Sequence, residues 1–272
     1  MNWLYGQAAG LFGTLFEFMG GMGAELFEQS AVQGIVLFFQ YLGWALFVVG
    51  LVVSGFEFGI ERQSGRGSVK DVLLNALKGF LAVSLFTAAP LELFKLAVTL
   101  QGSMTRGLTH FLNFDSLLAG ITDAFANFEL RFSGVGTPIM LFVTIMLGYA
   151  VIKVFLGNLK RGGILLVQMA VGSLYMFSVP RGYIDGFVQW MKQVIGLCLT
   201  TFLQSVFLAA GLYILYQHPI LGLGLMLAAG EVPRVAGAFG LDSTTKANIA
   251  GAVNTVQSAV RTTQIIAQAV AK

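Results

Sequence analysis

Long apolar runs alternate with short charged segments along this chain. Residues 31–56 hold no charged side chain over 26 positions. A helix needs about 20 apolar residues to cross a bilayer, so this run predicts a first membrane span. The same criterion, applied along the chain, predicts spans at 31–56, 72–100, 138–156, 162–179 and 187–217.

Three further segments are apolar or amphipathic without the length or composition of a span. Residues 1–30 place apolar side chains every three or four positions, which predicts an outer amphipathic helix at the interface. The alternative is a poorly ordered segment or one that only packs on other helices. Residues 115–133 repeat this spacing with acidic side chains on other faces, and predict an outer loop helix that packs on neighbouring protein. Residues 219–230 are apolar but too short to cross, and predict a re-entrant or interfacial segment.

The last stretch, residues 231–272, is amphipathic in a different way. Asp242-Ser-Thr-Thr is a helix start, and amide and charged side chains surround the apolar stripe that follows it. The stripe predicts a cytoplasmic helical tail that binds a partner or a second copy of the chain. Its apolar positions include Ile249, Val253, Val256 and Val260.

Composition agrees with a membrane protein. Of 272 residues, 56% are hydrophobic and only 11% are charged, whereas soluble domains carry about 25% charged residues. The predicted class is therefore all-α: a polytopic membrane protein with about five transmembrane helices, amphipathic interfacial helices and a C-terminal cytoplasmic helix. The net charge of +3 does not predict a nucleic-acid surface, because the basic residues are few and dispersed. The N-terminus lacks the basic residues that begin a cleavable signal peptide, so none is expected.

The charged bridge at residues 57–71 gives the predicted orientation. Residues 1–56 contain no Lys or Arg, and the bridge is the first place where they occur. Cytoplasmic loops are enriched in Lys and Arg, so the bridge predicts a cytoplasmic loop that also contacts partners. A second such loop, a tight basic turn at 156–163, is predicted around Lys160 and Arg161. The charged residues singled out in the bridge are Glu57, Glu61, Arg62, Arg66 and Lys70.

Counting basic residues on each side favours five spans with the N-terminus outside and the C-terminus cytoplasmic. Under that topology eleven of the sixteen Lys and Arg residues lie inside. A sixth span at 219–230 would move the last four outside and leave seven against nine. The five residues placed outside are Lys95, Arg106, Arg131, Arg181 and Lys192.

A small polar stripe interrupts the fifth predicted span. Thr201, Gln204 and Ser205 stand with Cys198 at steps of three and four residues, on one helix face. Such stripes form hydrogen bonds between membrane helices, and they also line water-filled pathways. Both interpretations remain open from the sequence.

Catalytic and cofactor signatures are absent from the sequence. The two histidines, His110 and His218, have no neighbouring Cys or carboxylate, which argues against a metal site. Neither a phosphate-binding Gly-rich loop nor a Ser nucleophile motif occurs. We therefore expect no enzyme activity and no cofactor.

The bridge and its flanks also carry a family resemblance. The run from Gly55 to Lys70 and the run from Asn75 to Phe86, with the opening Met1-Asn-Trp-Leu-Tyr, resemble the TrbL/VirB6-like conjugal transfer membrane proteins of Gram-positive integrative conjugative elements. These are type IV secretion components. The resemblance implies a homo-oligomeric channel or scaffold subunit in the bacterial cell membrane. It also implies contacts with a stalk or pilus protein and with cytoplasmic ATPases, and nucleic acid at most as translocated cargo.

Two other function classes fit an apolar helical chain. A small-solute transporter would use ionisable or amide side chains such as Glu92, Lys95 and Gln204 along its pathway. A holin-like pore would lyse cells on modest expression. Flux through this polypeptide alone, or lysis, would distinguish them from a secretion component.

Overall fold

A computed structural model describes the protein over residues 24–65, 67–111 and 137–238. These residues form helices and short connections, with no β-strand among them. Two short 3₁₀ turns cover Glu25–Glu28 and Val179–Arg181. The α-helices are α1 (Ser30–Gln63), α2 (Val69–Leu85), α3 (Ala88–Phe111), α4 (Thr137–Tyr175), α5 (Asp185–Gln217), α6 (Pro219–Ala229) and α7 (Val232–Ala238).

The number of membrane spans depends on how bent pairs are counted. Within the described residues, three helices are long and apolar enough to cross a membrane, namely α1, α4 and α5. The number rises to five if each of two bent pairs is one span. The pairs are α2 with α3, bent by 47°, and α6 with α7, bent by 52°. The all-α, polytopic class predicted from the sequence is confirmed.

The first predicted span lies inside α1, which is longer than predicted. The helix continues through Gln63, so the first part of the charged bridge is helical rather than loop. It ends where Gly65 adopts a left-handed backbone with φ of 76°, a conformation in which a side chain is strained. The Ser64 hydroxyl donates to the Glu61 carbonyl oxygen at 2.8 Å. The turn itself is therefore only a few residues long.

The second predicted span, 72–100, is broken in the structure. α2 ends at Leu85 and α3 starts at Ala88. Pro90 lies in the first turn of α3, where its missing N–H costs no hydrogen bond. The bend thus falls just before the proline.

The prediction of a basic turn at 156–163 is wrong. Residues 137–175 form one helix of 39 residues, so the predicted spans 138–156 and 162–179 are two halves of α4. Gly and basic residues indicate a turn locally, but one buried stripe runs through the segment without interruption. Its members are Val154, Asn158, Arg161, Leu165 and Met169, each three or four residues from the next.

The buried side chains of the described residues form two separate apolar clusters along the antiparallel pair α4 and α5. The basal core joins α1, α2, α3 and the C-terminal half of α4 to the start of α5; Phe47, Phe86, Phe94 and Trp190 belong to it. The distal core joins the N-terminal half of α4 to the end of α5 and to α6; Leu147, Leu208 and Met226 belong to it. Both rest on the same two long helices.

α6 folds back along the end of α5. Gly211 of α5 and Gly222 of α6 face each other so closely that a Cβ on Gly222 would overlap the backbone of Leu215. The predicted segment 219–230 is therefore a helix, and it forms a bent pair with α7 that is either a broken span or a re-entrant loop.

Candidate functional site

An ion pair joins the charged bridge to the turn between α4 and α5. The Arg181 Nε donates to the two Glu57 carboxylate oxygens at 3.1 and 3.2 Å, and its Nη2 also bonds to Glu57. The guanidinium lies over the rings of Phe177 and Tyr183, with its carbon 4.9 and 5.2 Å from the centroids. Planar stacking of this kind suits Arg and not Lys.

This pair corrects one part of the predicted topology. Charge counting placed Arg181 outside and Glu57 inside, yet the two side chains are bonded to each other. The turn containing Arg181 also packs on α2, where Asn75 lies against Gly182. The bridge and the α4–α5 turn therefore lie at one end of the molecule, here called the basal end. The pairing joins residues 124 positions apart, so no local pattern predicts it.

The other bridge residues are exposed at the basal end. Glu61, Arg62 and Lys70 are all exposed, and the Arg62 guanidinium lies 5.8 Å from the Phe58 ring centroid. Arg66 lies outside the described residues. Their role in partner contacts stays a prediction.

The polar stripe of α5 faces α4 and meets a second set of polar side chains there. Ser205 accepts a hydrogen bond from the Asn158 Nδ2 at 3.3 Å. Thr201 and Ser205 also donate to the carbonyls of Leu197 and Thr201 in their own helix. We call Asn158, Arg161, Gln204 and Ser205 the polar layer, because they lie buried between the basal and distal cores.

Arg161 is the charged member of the polar layer. Only 5% of its surface is exposed. Its Nη1 donates to the Asn158 Oδ1 at 2.5 Å, and it forms no ion pair with any described residue. The Gln204 Oε1, also buried, has no hydrogen-bond partner among the described atoms. A buried cation without a carboxylate is costly and depends on its neutral acceptor.

Sequence reasoning placed Arg161 and Lys160 together in a loop, and the structure separates their environments. Lys160 is exposed on the outer face of α4, while Arg161 points into the helix pair. Asn158 was passed over because it lies between Gly157 and Leu159 in the segment interpreted as a turn. The signal that could have identified Asn158 as a buried residue is its spacing, four residues after Val154 and three before Arg161, on one helix face.

A second ionic cluster, here called the distal ionic cluster, joins the N-terminal half of α4 to α7 and the residue before it. Lys153 of α4 donates to the Glu231 carboxylate at 3.2 Å, and Arg234 of α7 bonds to the same carboxylate at 2.9 Å. All three side chains are more than a third exposed. The cluster ties the bend between α6 and α7 to the long helix.

The remaining predicted sites lie outside the described ranges. These are most of the helix at 1–30, the outer loop helix at 115–133 and the tail stripe of Ile249, Val253, Val256 and Val260. Across the described part of the chain, no group of three or more His, Cys, Asp or Glu side chains is arranged to hold a metal ion.

A family model described as conjugal transfer protein TrbL matches residues 1–271. No curated protein and no solved structure matches the chain.

Proposed function

The chain belongs to the TrbL family of conjugal transfer proteins, and from that premise we propose that it is an oligomeric scaffold or channel subunit of a type IV secretion system. Family membership makes it a membrane component of conjugal transfer. The finer role is structural and non-enzymatic: it supports passage of a DNA–protein substrate or assembly of a stalk or pilus.

The length of α4 carries this proposal. At a rise of about 1.5 Å per residue, its 39 residues extend about 58 Å, against about 30 Å for the hydrocarbon core of a bilayer. The helix therefore reaches well beyond one bilayer thickness. Its first turns expose large apolar side chains, including Leu141, Phe142, Ile145 and Tyr149. We propose that these turns project beyond the bilayer, and that their exposed apolar side chains, here called the projecting face, contact another protein rather than lipid.

The polar stripe supports a packing role rather than a solute pathway. Thr201 and Ser205 satisfy their hydroxyl groups within α5, and Ser205 also binds Asn158 of α4. Interhelical hydrogen bonds of this type hold membrane helices together. We propose that the N-terminus lies outside and that the basal end, including Arg181, faces the cytoplasm. Because α4 is one helix, α5 begins at the basal end and ends outside. The proposed cytoplasmic C-terminus therefore requires the α6–α7 pair to cross the membrane as a broken span.

Site-specific photo-cross-linking in donor cells tests the scaffold role. A photoreactive phenylalanine analogue at Phe142, on the projecting face, is expected to link to a second copy or to another secretion protein. The matched control is Phe38, which is exposed on α1 at 62%, against 60% for Phe142; it should give only lipid adducts.

A functional arm completes the test. Ile145→Asp places a charge on the projecting face and should lower conjugation while the protein remains in the membrane at its normal level. If Phe142 gives no protein adduct and Ile145→Asp transfers DNA normally, the scaffold proposal is wrong.

A further inference from the structure

We propose that a groove in the basal half binds one acyl chain of an anionic phospholipid, with Lys78 at the lipid phosphate. This inference is independent of the scaffold role. The groove lies between α2 with the start of α3 on one side and the first turns of α5 on the other, and encloses about 400 Å³.

The lining of the groove is apolar apart from one cation. Phe86 and Ala89 contribute from the α2–α3 side, and Phe187 and Trp190 from α5. Among the described residues that line it, Lys78 is the only charged one. A groove with this lining offers an apolar ligand much surface to bury and gives it one charge to recognise.

Lys78 lies at the end of the groove nearest to the basal end of the molecule. Asn75, one helical turn before it, is in contact with Gly182, next to the Arg181–Glu57 pair of the basal end. The Lys78 side chain is exposed and makes no ion pair with the described residues. A lysine one turn below the charged level extends its ammonium to the headgroup region.

The length of the groove along α5 matches the hydrocarbon thickness of one leaflet. Along α5 its lining runs from Ile184 to Ile195, which is about 16 Å of helix. Half of the hydrocarbon core is about 15 Å. A ligand that begins with a phosphate at Lys78 and continues as a hydrocarbon chain toward the bilayer centre matches the charge, the polarity and the length together. A zwitterionic lipid fits the hydrocarbon part but gains less from the lysine.

Trp190 makes the proposal testable, because it lines the groove and its fluorescence is quenched by brominated acyl chains. The chain has three tryptophans, so Trp3→Phe with Trp44→Phe leaves Trp190 as the reporter in the full-length protein. This variant is reconstituted in phosphatidylcholine vesicles that contain dibrominated phosphatidylglycerol or dibrominated phosphatidylcholine with identical chains. We expect half-maximal quenching at about fivefold less of the anionic lipid.

Two substitutions with matched controls test recognition of the headgroup and binding of the acyl chain separately. Lys78→Gln should abolish the fivefold preference, while Lys70→Gln, at an exposed lysine of the same helix outside the groove, should keep it. Ala89→Phe should reduce quenching by both lipids by filling the groove, while Ala88→Phe, at an exposed neighbour outside the lining, should not.

Two results would overturn the proposal. Equal quenching by both lipids in the variant that keeps only Trp190 would show that the groove does not recognise the anionic headgroup. If neither lipid quenches Trp190, protein from this chain or from a second copy fills the groove. The Lys78 arm uses an exposed residue, so it decides the matter even if Ala89→Phe does not fold.

Discussion

The basal and distal cores use the same two helices but are held together in different ways. The basal core gathers side chains from α1, α2 and α3 around α4 and α5, with aromatic rings such as Phe86, Phe94 and Trp190 in its centre. Among the described helices, the distal core has only α6 as a third element, and its closest approach is backbone to backbone at Gly211 and Gly222. One end depends on the fit of large side chains, and the other on the absence of side chains.

The polar layer marks the change from one kind of packing to the other. An apolar interface of two long helices has little to prevent a shift of one helix turn, because neighbouring registers bury similar surface. The hydrogen bond from Asn158 to Ser205 exists in one register only. Buried polar pairs fix helix register in this way in other helical assemblies. We therefore infer that the polar layer fixes the register in which α4 packs on α5.

The largest effect is expected from Asn158→Leu. The substitution removes the acceptor of the Arg161 guanidinium and leaves a buried cation without a partner, at a cost of about 3 kcal/mol of unfolding free energy. Reversible unfolding in mixed detergent micelles, followed by far-ultraviolet circular dichroism, measures the loss.

The control for this prediction is Asn158→Leu combined with Arg161→Met, which removes both polar groups. The double variant should recover most of the lost stability, because the uncompensated charge is gone. If Asn158→Leu alone leaves the unfolding free energy unchanged, the polar layer does not stabilise the packing of α4 on α5. The basal and distal cores would then not be separated by a layer of different packing.

A smaller loss, about 2 kcal/mol, is expected for Gly222→Ala, since a Cβ there meets the α5 backbone and α6 must move away. The matched control is Gly224→Ala in the same helix, where a Cβ has no neighbour within 4 Å. The control should be neutral or slightly stabilising, because Ala favours the helix over Gly. Equal effects at both positions would mean that helix propensity, and not close approach, governs the distal core.

The sequence predicts the positions of the helices better than the way in which they are connected and packed. Apolar runs predicted helices, because that signal is local and periodic. Thr201, Gln204 and Ser205 lie buried on α5, and their role as a packing or pathway stripe stays a prediction. The continuity of α4 was missed, because glycines and basic residues around Arg161 also favour a turn. Burial of Arg161 against α5 is a tertiary effect that local residue preferences do not contain.

The ion pair of the basal end was missed for a related reason. Charge counting treats each basic residue as a free marker of the cytoplasmic side. It takes no account of the Arg181 guanidinium being bound to Glu57, far away in the sequence. Partners of this kind are visible only once the α4–α5 turn is seen to pack on α1 and α2.

Glu57→Gln should cost less than either core substitution, about 0.5–1 kcal/mol, because the pair is partly exposed and its attraction is screened. The same detergent titration measures it, and the loss should shrink at high salt. Glu61→Gln is the control, since Glu61 is exposed and forms no ion pair with the described residues. A salt-independent loss would contradict an ionic origin.

The smallest effect is expected at the distal ionic cluster, from Arg234→Gln. The Arg234 side chain is 80% exposed, and its partner Glu231 keeps Lys153 of α4 when Arg234 is replaced. We expect no measurable change in unfolding at any salt concentration, because an exposed pair three residues apart adds little to a helix. A loss of unfolding free energy larger than that of Glu57→Gln would show that the distal half depends more on its ion pairs than the basal half does. The bend between α6 and α7 would then depend on surface charge, and the close contact at Gly222 would no longer suffice to explain how the distal half is held.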